Sequence, residues 1–186
     1  LNILCRGAAM RYFLTRLYDY SNTPKTALIQ IKDPNEYYQK LISQIHDLGL
    51  VDQVVFGDHV IQNHSWKGHK GSVKYSLSHA YAHANSCTYF STYEGFGNAF
   101  VESVLAKTPI FVNNYEPVYL PDIGSKGFKT VMLTNNELTE DALNGMKEII
   151  YNDKLNKEVA EYNFEIGKEH FSYAVLQEKL EELLNF

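Results

Sequence analysis

The stretch from Ser91 to Asn114, STYEGFGNAFVESVLAKTPIFVNN, decides the fold. It reads as the end of a strand, a glycine-bearing loop, a short helix and a second strand, the order of a βαβ unit. Glu94 stands just before the loop Gly95-Phe96-Gly97, and Glu102 stands on the helix that this loop opens. Both carboxylates are therefore expected to face one bound ligand.

Working outward, Leu1–Cys5 reads as a buried strand, and a helix is expected from Arg6 to about Tyr20, because Phe13, Leu14, Leu17 and Tyr18 recur at helical spacing. Ser21-Asn22-Thr23-Pro24 breaks it, and Ala27–Ile31 is a second strand. Asp33 as N-cap and Pro34 at the first helical position open a helix with Tyr37, Tyr38, Leu41, Ile42 and Ile45 on one stripe, which Gly49 ends. Gln53–Phe56 is the third strand. Gly57 to Gly71 is a polar loop rich in His, Gly and Lys, longer than a connector needs to be. A helix over Tyr75–His83 leads to the fourth strand, Cys87–Phe90, and Pro109–Val112 is the fifth. Asn114–Phe128 reads as a loop before a sixth strand, Lys129–Leu133, and everything from Leu138 onward as helix, punctuated near Asn152-Asp153 and Ser172. The fold class expected is α/β: a Rossmann-like three-layer sandwich, with a parallel six-stranded sheet in the order 3-2-1-4-5-6 and helices on both faces. That order puts a switch point between the first and fourth strands, where ligands bind beyond the carboxyl ends.

At 186 residues, 45% hydrophobic and 13% aromatic, the chain is expected to form one domain, residues 1–186. It begins at Leu1 and runs straight into an apolar strand, so a domain cut from a longer chain is expected. No signal peptide is read at its start, and no apolar run reaches the roughly 20 residues that cross a bilayer. A formal net charge of -5 gives no electrostatic case for a nucleic-acid or anionic-membrane partner. The two cysteines, Cys5 and Cys87, lie in apolar β-like runs and read as free buried thiols of a cytoplasmic protein.

A glycine turn at a helix start lets the backbone approach phosphate, and the unpaired N–H groups with the helix dipole favour negative charge there. Carboxylates beside such a site need neutral hydroxyls to accept from, and sugar or ribose hydroxyls meet that need. Arg6 and Arg11, at the turn after the first strand, read either as surface helix residues or as guanidinium groups across the expected crevice, suited to diphosphate oxygens. Together these point to a sugar-nucleotide site.

The run S-T-Y-E-G-F-G-N-A-F-V-E resembles the E-x(7)-E signature of the large family-four retaining glycosyltransferases, and Arg6 and Arg11 resemble that family's Arg-x(4)-Lys pair. The likeness extends to Tyr75–Asn85, Pro109–Val112 and the closing helices with Phe171-Ser172-Tyr173. It implies a GT-B enzyme of two Rossmann-like halves, of which this chain is the C-terminal, donor-binding half and lacks the N-terminal acceptor half. It implies Glu94 as the catalytic-site residue on the transferred sugar and Glu102 on the ribose. Arg6, Arg11, Gly95, Phe96, Gly97, Asn98 and Ala99 then hold the rest of the donor, with nucleobase contacts near Asp58–Ile61. Transfer with retention, without metal or other cofactor, follows from the same resemblance, as does inactivity of the isolated domain. A location peripheral to the inner membrane through the missing half is also compatible with it. Two departures stand out: Arg11 replaces lysine, and Lys107 stands where many members have glycine, at a cost of about 1 kcal/mol if the position is left-handed.

The competing readings are a nucleotide-sugar epimerase or phosphorylase of GT-B shape, and a non-catalytic binding module. A dinucleotide-binding dehydrogenase would need G-x-G-x-x-G after the first strand, which Arg6-Gly7-Ala8 does not supply. His59, His64 and His69, with Trp66 and Lys67, read as a solvated loop, and His79 and His83 as surface or partly packed, so no metal is expected. The last helix sets Leu176, Leu180, Leu183 and Leu184 against an acidic run, Glu178, Glu181 and Glu182. Its apolar stripe suits packing, or a homomeric contact where the other half is absent.

Overall fold

A computed structural model describes residues 11–15, 26–30, 36–56, 61–62, 66–67, 73–115 and 117–184. In chain order they form β1 (Arg11–Thr15), β2 (Thr26–Gln30), α1 (Glu36–Asp47), β3 (Val54–Phe56), β4 (Ile61–Gln62), β5 (Trp66–Lys67), β6 (Val73–Ser76), α2 (Leu77–His83), β7 (Ala84–Tyr89), α3 (Asn98–Leu105), β8 (Ile110–Asn113), β9 (Met132–Leu133), α4 (Glu140–Tyr151), α5 (Asp153–Phe171) and α6 (Tyr173–Leu184). The fold is α/β.

The main sheet runs β3-β2-β1-β7-β8-β9. Its strands β7, β8 and β9 are parallel, with Cys87 opposite Ile110 and Val112 opposite Met132, and β2 is parallel to β3. Four successive residues of β7 and all four of β8 are buried, as befits parallel strands covered on both faces. On one face Cys87, Tyr89, Ile110 and Val112 pack against Phe100 and Val104 of α3 and Tyr81 of α2. On the other, Phe111 and Leu133 pack against Met146 and Ile149 of α4 and Val159 of α5.

The amino-terminal third departs from the sequence reading. Arg11–Thr15 was expected to be helical and is instead the strand between β2 and β7, antiparallel to both. The expected all-parallel sheet is therefore not what forms. Five residues with apolar neighbours at Phe13 and Leu14 fit either period, and pairing with strands on both sides decides such a case. The expected strand Leu1–Cys5 lies outside the described residues, as do Asp33 and Pro34. The stretch expected to be one polar loop contains β4 and β5, which flank β6 in a three-stranded sheet.

Elsewhere the local chemistry holds. Leu41 and Ile45, one turn apart on α1, are buried, and Gly49, at φ +66°, ends the helix with its N–H donating to the His46 carbonyl. Thr139 and Asn152 cap α4 and α5 through side-chain oxygens that accept from the Ala142 and Leu155 N–H groups. Ser172 does the same for α6 through Val175. Gly167 lets α5 close on α3: a Cβ there would stand 2.6 Å from Cγ1 of Val104. No helix among the described residues is long and apolar enough to cross a membrane.

Candidate functional site

The loop after β7 is built from backbone and held by side chains that arrive from β8. The Ser91 hydroxyl donates to the Tyr93 carbonyl at 3.0 Å. The Ser91 carbonyl in turn accepts from Nδ2 of Asn113 at 2.9 Å, and Oδ1 of Asn113 accepts the Asn136 N–H at 2.8 Å. At the far end of the loop, the Tyr115 hydroxyl donates to the Phe96 carbonyl at 3.2 Å.

Gly97 then turns the chain into α3. Its φ of +115° and ψ of +47° suit glycine, and a Cβ there would lie 2.1 Å from the Tyr115 hydroxyl. Its carbonyl accepts from the Phe100 N–H, and no side chain among the described residues caps the helix start. Of the first-turn N–H groups of α3, that of Phe100 is thus taken by a backbone carbonyl, and no N-cap side chain reaches those of Asn98 and Ala99, an arrangement that suits an anion. Gly95 differs from Gly97: its φ is not left-handed, and nothing lies within 4 Å of where its Cβ would be.

Glu94 is half-buried, and its Oε1 is buried with no hydrogen-bond partner among the described residues. A carboxylate oxygen withdrawn from water without a donor is costly unless something supplies one. Two tyrosines, Tyr115 and Tyr119, are buried, and Tyr115 feels the Glu94 charge. Burial first, then Tyr119, then the Glu94 and Asp122 carboxylates push the Tyr115 hydroxyl above its ordinary range, while burial pushes Tyr119 up to about 12. Both remain neutral O–H groups at physiological pH.

Glu102 is exposed on α3 and lines a cleft of about 620 Å³ between α2 and α3, together with Ser76, Ser78, Tyr81, Leu105 and Ala106. Glu94 is not among the residues lining that cleft. Phe96 is half-buried, edge-on to Phe171 at 5.8 Å between centroids; Asn98 is exposed and Ala99 buried. Arg6 lies outside the described residues. Arg11 is not at a helix start; it opens β1, one residue before Tyr12, which pairs with Thr88. Antiparallel pairing thus sets its backbone at the edge of the sheet from which the Ser91 loop departs.

No protein-family profile matches the chain. Over 169 residues it is 30% identical to the mannosylglucosylglycerate synthase of Thermotoga maritima, an alignment covering 83% of this chain and 35% of that enzyme. WaaG, a glycosyltransferase involved in lipopolysaccharide biosynthesis, superimposes with a TM-score of 0.56 at 14% identity, over 83% of this chain and 36% of that one. The sucrose-phosphate synthase of Thermosynechococcus elongatus gives 0.57 at 16% identity, over 85% and 37%. The chain has an α/β fold like that of the matched part of these two GT-B proteins. It spans about a third of the length of these proteins. A separate, short likeness is to homoserine kinases: 41 residues are 63% identical to that of Rhodospirillum rubrum, which is 22% of this chain and 13% of the kinase.

Against the pattern of the glycosyltransferases it resembles, Lys107 is the informative departure. It adopts φ +57°, a left-handed conformation that favours glycine. Its ammonium lies 2.9 Å from both carboxylate oxygens of Glu161 and 4.4 Å over the Phe164 ring, tying the end of α3 to α5. Sequence reasoning noticed Lys107 but missed Asn113 and Tyr115. The one available signal was an asparagine closing the apolar run Ile110-Phe111-Val112, where a buried amide needs partners. His79 contacts the Ser76 hydroxyl at 2.5 Å and His83 the His79 carbonyl at 2.9 Å, and no group of three or more His, Cys, Asp or Glu residues suited to a metal occurs among the described residues. His59, His64 and His69 lie outside them, as does Cys5, whereas Cys87 is buried, its Sγ 3.8 Å from the Thr88 carbonyl oxygen.

Proposed function

We propose that the chain is the donor-binding half of a retaining glycosyltransferase that works in the cytoplasm and takes a nucleoside-diphosphate sugar. The observation that carries this reading is the loop from Glu94 to Gly97. It offers a buried carboxylate oxygen in need of a donor beside a helix start, opened by Gly97, that lacks a side-chain cap. A sugar diphosphate supplies both, hydroxyls to Glu94 and phosphate oxygens to the start of α3.

In this reading Glu94 accepts hydrogen bonds from the hydroxyls of the transferred sugar and orients its anomeric carbon. Gly95, Phe96, Gly97, Asn98 and Ala99 present backbone to the diphosphate, and Arg6 and Arg11 add positive charge from the amino-terminal side. Glu102, at the mouth of the α2–α3 cleft, accepts from the ribose hydroxyls. The bond from the anomeric carbon to phosphate oxygen breaks, and the acceptor hydroxyl oxygen bonds to that carbon on the same face. Its proton passes to the departing phosphate oxygen, leaving a nucleoside diphosphate. The oxocarbenium-like charge that develops is stabilised by the departing diphosphate, which the loop holds in place. The acceptor comes from a second half, so the chain alone binds donor without appreciable transfer.

Calorimetric titration of the chain with uridine, guanosine and adenosine diphosphate sugars tests this. Saturable binding of at least one supports the reading, and no binding by any of them refutes it.

A further inference from the structure

The loop that carries Glu94 is pinned at both ends by two side chains, one from the last residue of β8 and one from two residues beyond it. Asn113 holds its beginning, at the Ser91 carbonyl, and Tyr115 holds its end, at the Phe96 carbonyl. Between these anchors Thr92, Tyr93 and Gly95 are exposed and Glu94 is half-buried. Neither anchor has room to wander. Both ends of the Asn113 amide are engaged, and Asn113 is 3% exposed. The Tyr115 ring is fully buried, edge-on to Tyr89 at 5.9 Å and to Tyr119 at 5.3 Å. Its hydroxyl fills the space beside Gly97 that a Cβ would need.

We propose that Tyr115, with Asn113, is a positioning residue for the donor: it touches no part of the ligand and fixes the backbone from Glu94 to Gly97 that does. This rests on the donor-binding reading above. Because its hydroxyl stays protonated across the physiological range, the Phe96 carbonyl keeps its donor throughout that range. The Phe96 carbonyl is thereby turned toward the buried Tyr115 ring, and the space beside Gly95 stays open.

Tyr115→Phe keeps the ring and removes only the hydroxyl. Two measurements on the full chain test the proposal. The first compares calorimetric affinity for UDP-glucose, GDP-mannose or ADP-glucose, whichever the unmodified chain binds, with affinity for the matching nucleoside monophosphate. The expected result is a loss of about 3- to 10-fold for the nucleotide sugar, the worth of one neutral hydrogen bond, with the monophosphate unchanged within about 2-fold. The second is amide hydrogen exchange, which needs no ligand. Residues 93–98 are expected to exchange faster by a similar factor of about 3 to 10, while β8 and the last turn of α3 stay protected. Unchanged exchange at 93–98 overturns the proposal. So does an equal loss for sugar nucleotide and monophosphate accompanied by faster exchange through β8, which marks a merely structural tyrosine. If the unmodified chain binds none of the three donors, the donor reading fails and the functional half of this proposal with it. The exchange result then still decides whether Tyr115 holds the loop.

Discussion

Replacing Gly97 by alanine puts the loop geometry under direct test. At φ +115° and ψ +47° an L-residue is strained, by about 1–3 kcal/mol for sparsely populated backbone regions. The new methyl carbon would stand 2.1 Å from the Tyr115 hydroxyl and 3.0 Å from Cδ1 of Ile123, so the hydroxyl has to move off the Phe96 carbonyl. Losing that bond and leaving a carbonyl poorly satisfied costs about 1–3 kcal/mol more. The sum is about 2–6 kcal/mol, a large part of the 5–15 kcal/mol or so that a domain of ordinary stability has to lose. Urea unfolding followed by circular dichroism measures it. The double variant Gly97→Ala with Tyr115→Phe separates the two parts, since removing the hydroxyl removes the 2.1 Å clash and leaves the backbone strain and the 3.0 Å approach to Ile123. It is expected to cost less than the sum of the two single variants by about 1–2 kcal/mol, the coupling typical of residues in contact. A Gly97→Ala chain within about 0.5 kcal/mol of the parent, the scatter of ordinary surface changes, would refute the reasoning. Strict additivity would remove the Tyr115 contact from it.

Gly95→Ala should leave the unfolding midpoint unchanged, because its Cβ meets nothing, and should weaken donor binding by occupying the approach to the loop, which calorimetry would show. Glu102→Ala should weaken nucleotide binding by about 1.5–3 kcal/mol, the worth of a hydrogen bond to a charged group; unchanged affinity in a folded variant takes Glu102 off the ribose. Lys107→Gly relieves the left-handed strain but gives up the exposed Glu161 pair and the Phe164 contact, terms of about 1 kcal/mol or less each, so its stability should stay within about 1 kcal/mol of the parent. Lys107→Ala keeps the strain and loses both contacts, and should be the less stable of the two by urea unfolding. Tyr119 is protonated in the folded chain to a pH of about 12, above its ordinary value of 10.0, so the stability it confers is complete below pH 10 and lost as pH rises toward 12. Tyr119→Phe should flatten that alkaline fall.

The parts of the fold that were legible in the sequence are those whose signals are periodic or capped. β7, α3 and β8 follow from a buried run, a glycine turn and a second buried run, and the breaks at Asn152 and Ser172 are real helix caps. Arg11–Thr15 was not legible, because apolar residues three and four apart suit a helix until strands on both sides claim the segment. The short strands β4 and β5 were hidden in a stretch whose glycines, histidines and lysines carry no period. Within the site, the sequence marked Glu94, Gly95, Gly97 and Glu102 but could not rank the two glycines, since φ and the neighbourhood of a missing Cβ are properties of the fold. Of the two anchors, Asn113 was marked only by its place at the close of an apolar run, and Tyr115 not at all. Their partners are the Ser91 and Phe96 carbonyls, and a backbone acceptor leaves no mark on side-chain pattern.

The central claim is that the loop from Glu94 to Gly97 receives a nucleoside-diphosphate sugar, and calorimetric titration of the unmodified chain with UDP-, GDP- and ADP-sugars tests it most directly. The account predicts saturable one-to-one binding of at least one of them, at a dissociation constant below about 1 mM. Absence of binding by all three in a folded chain would contradict it.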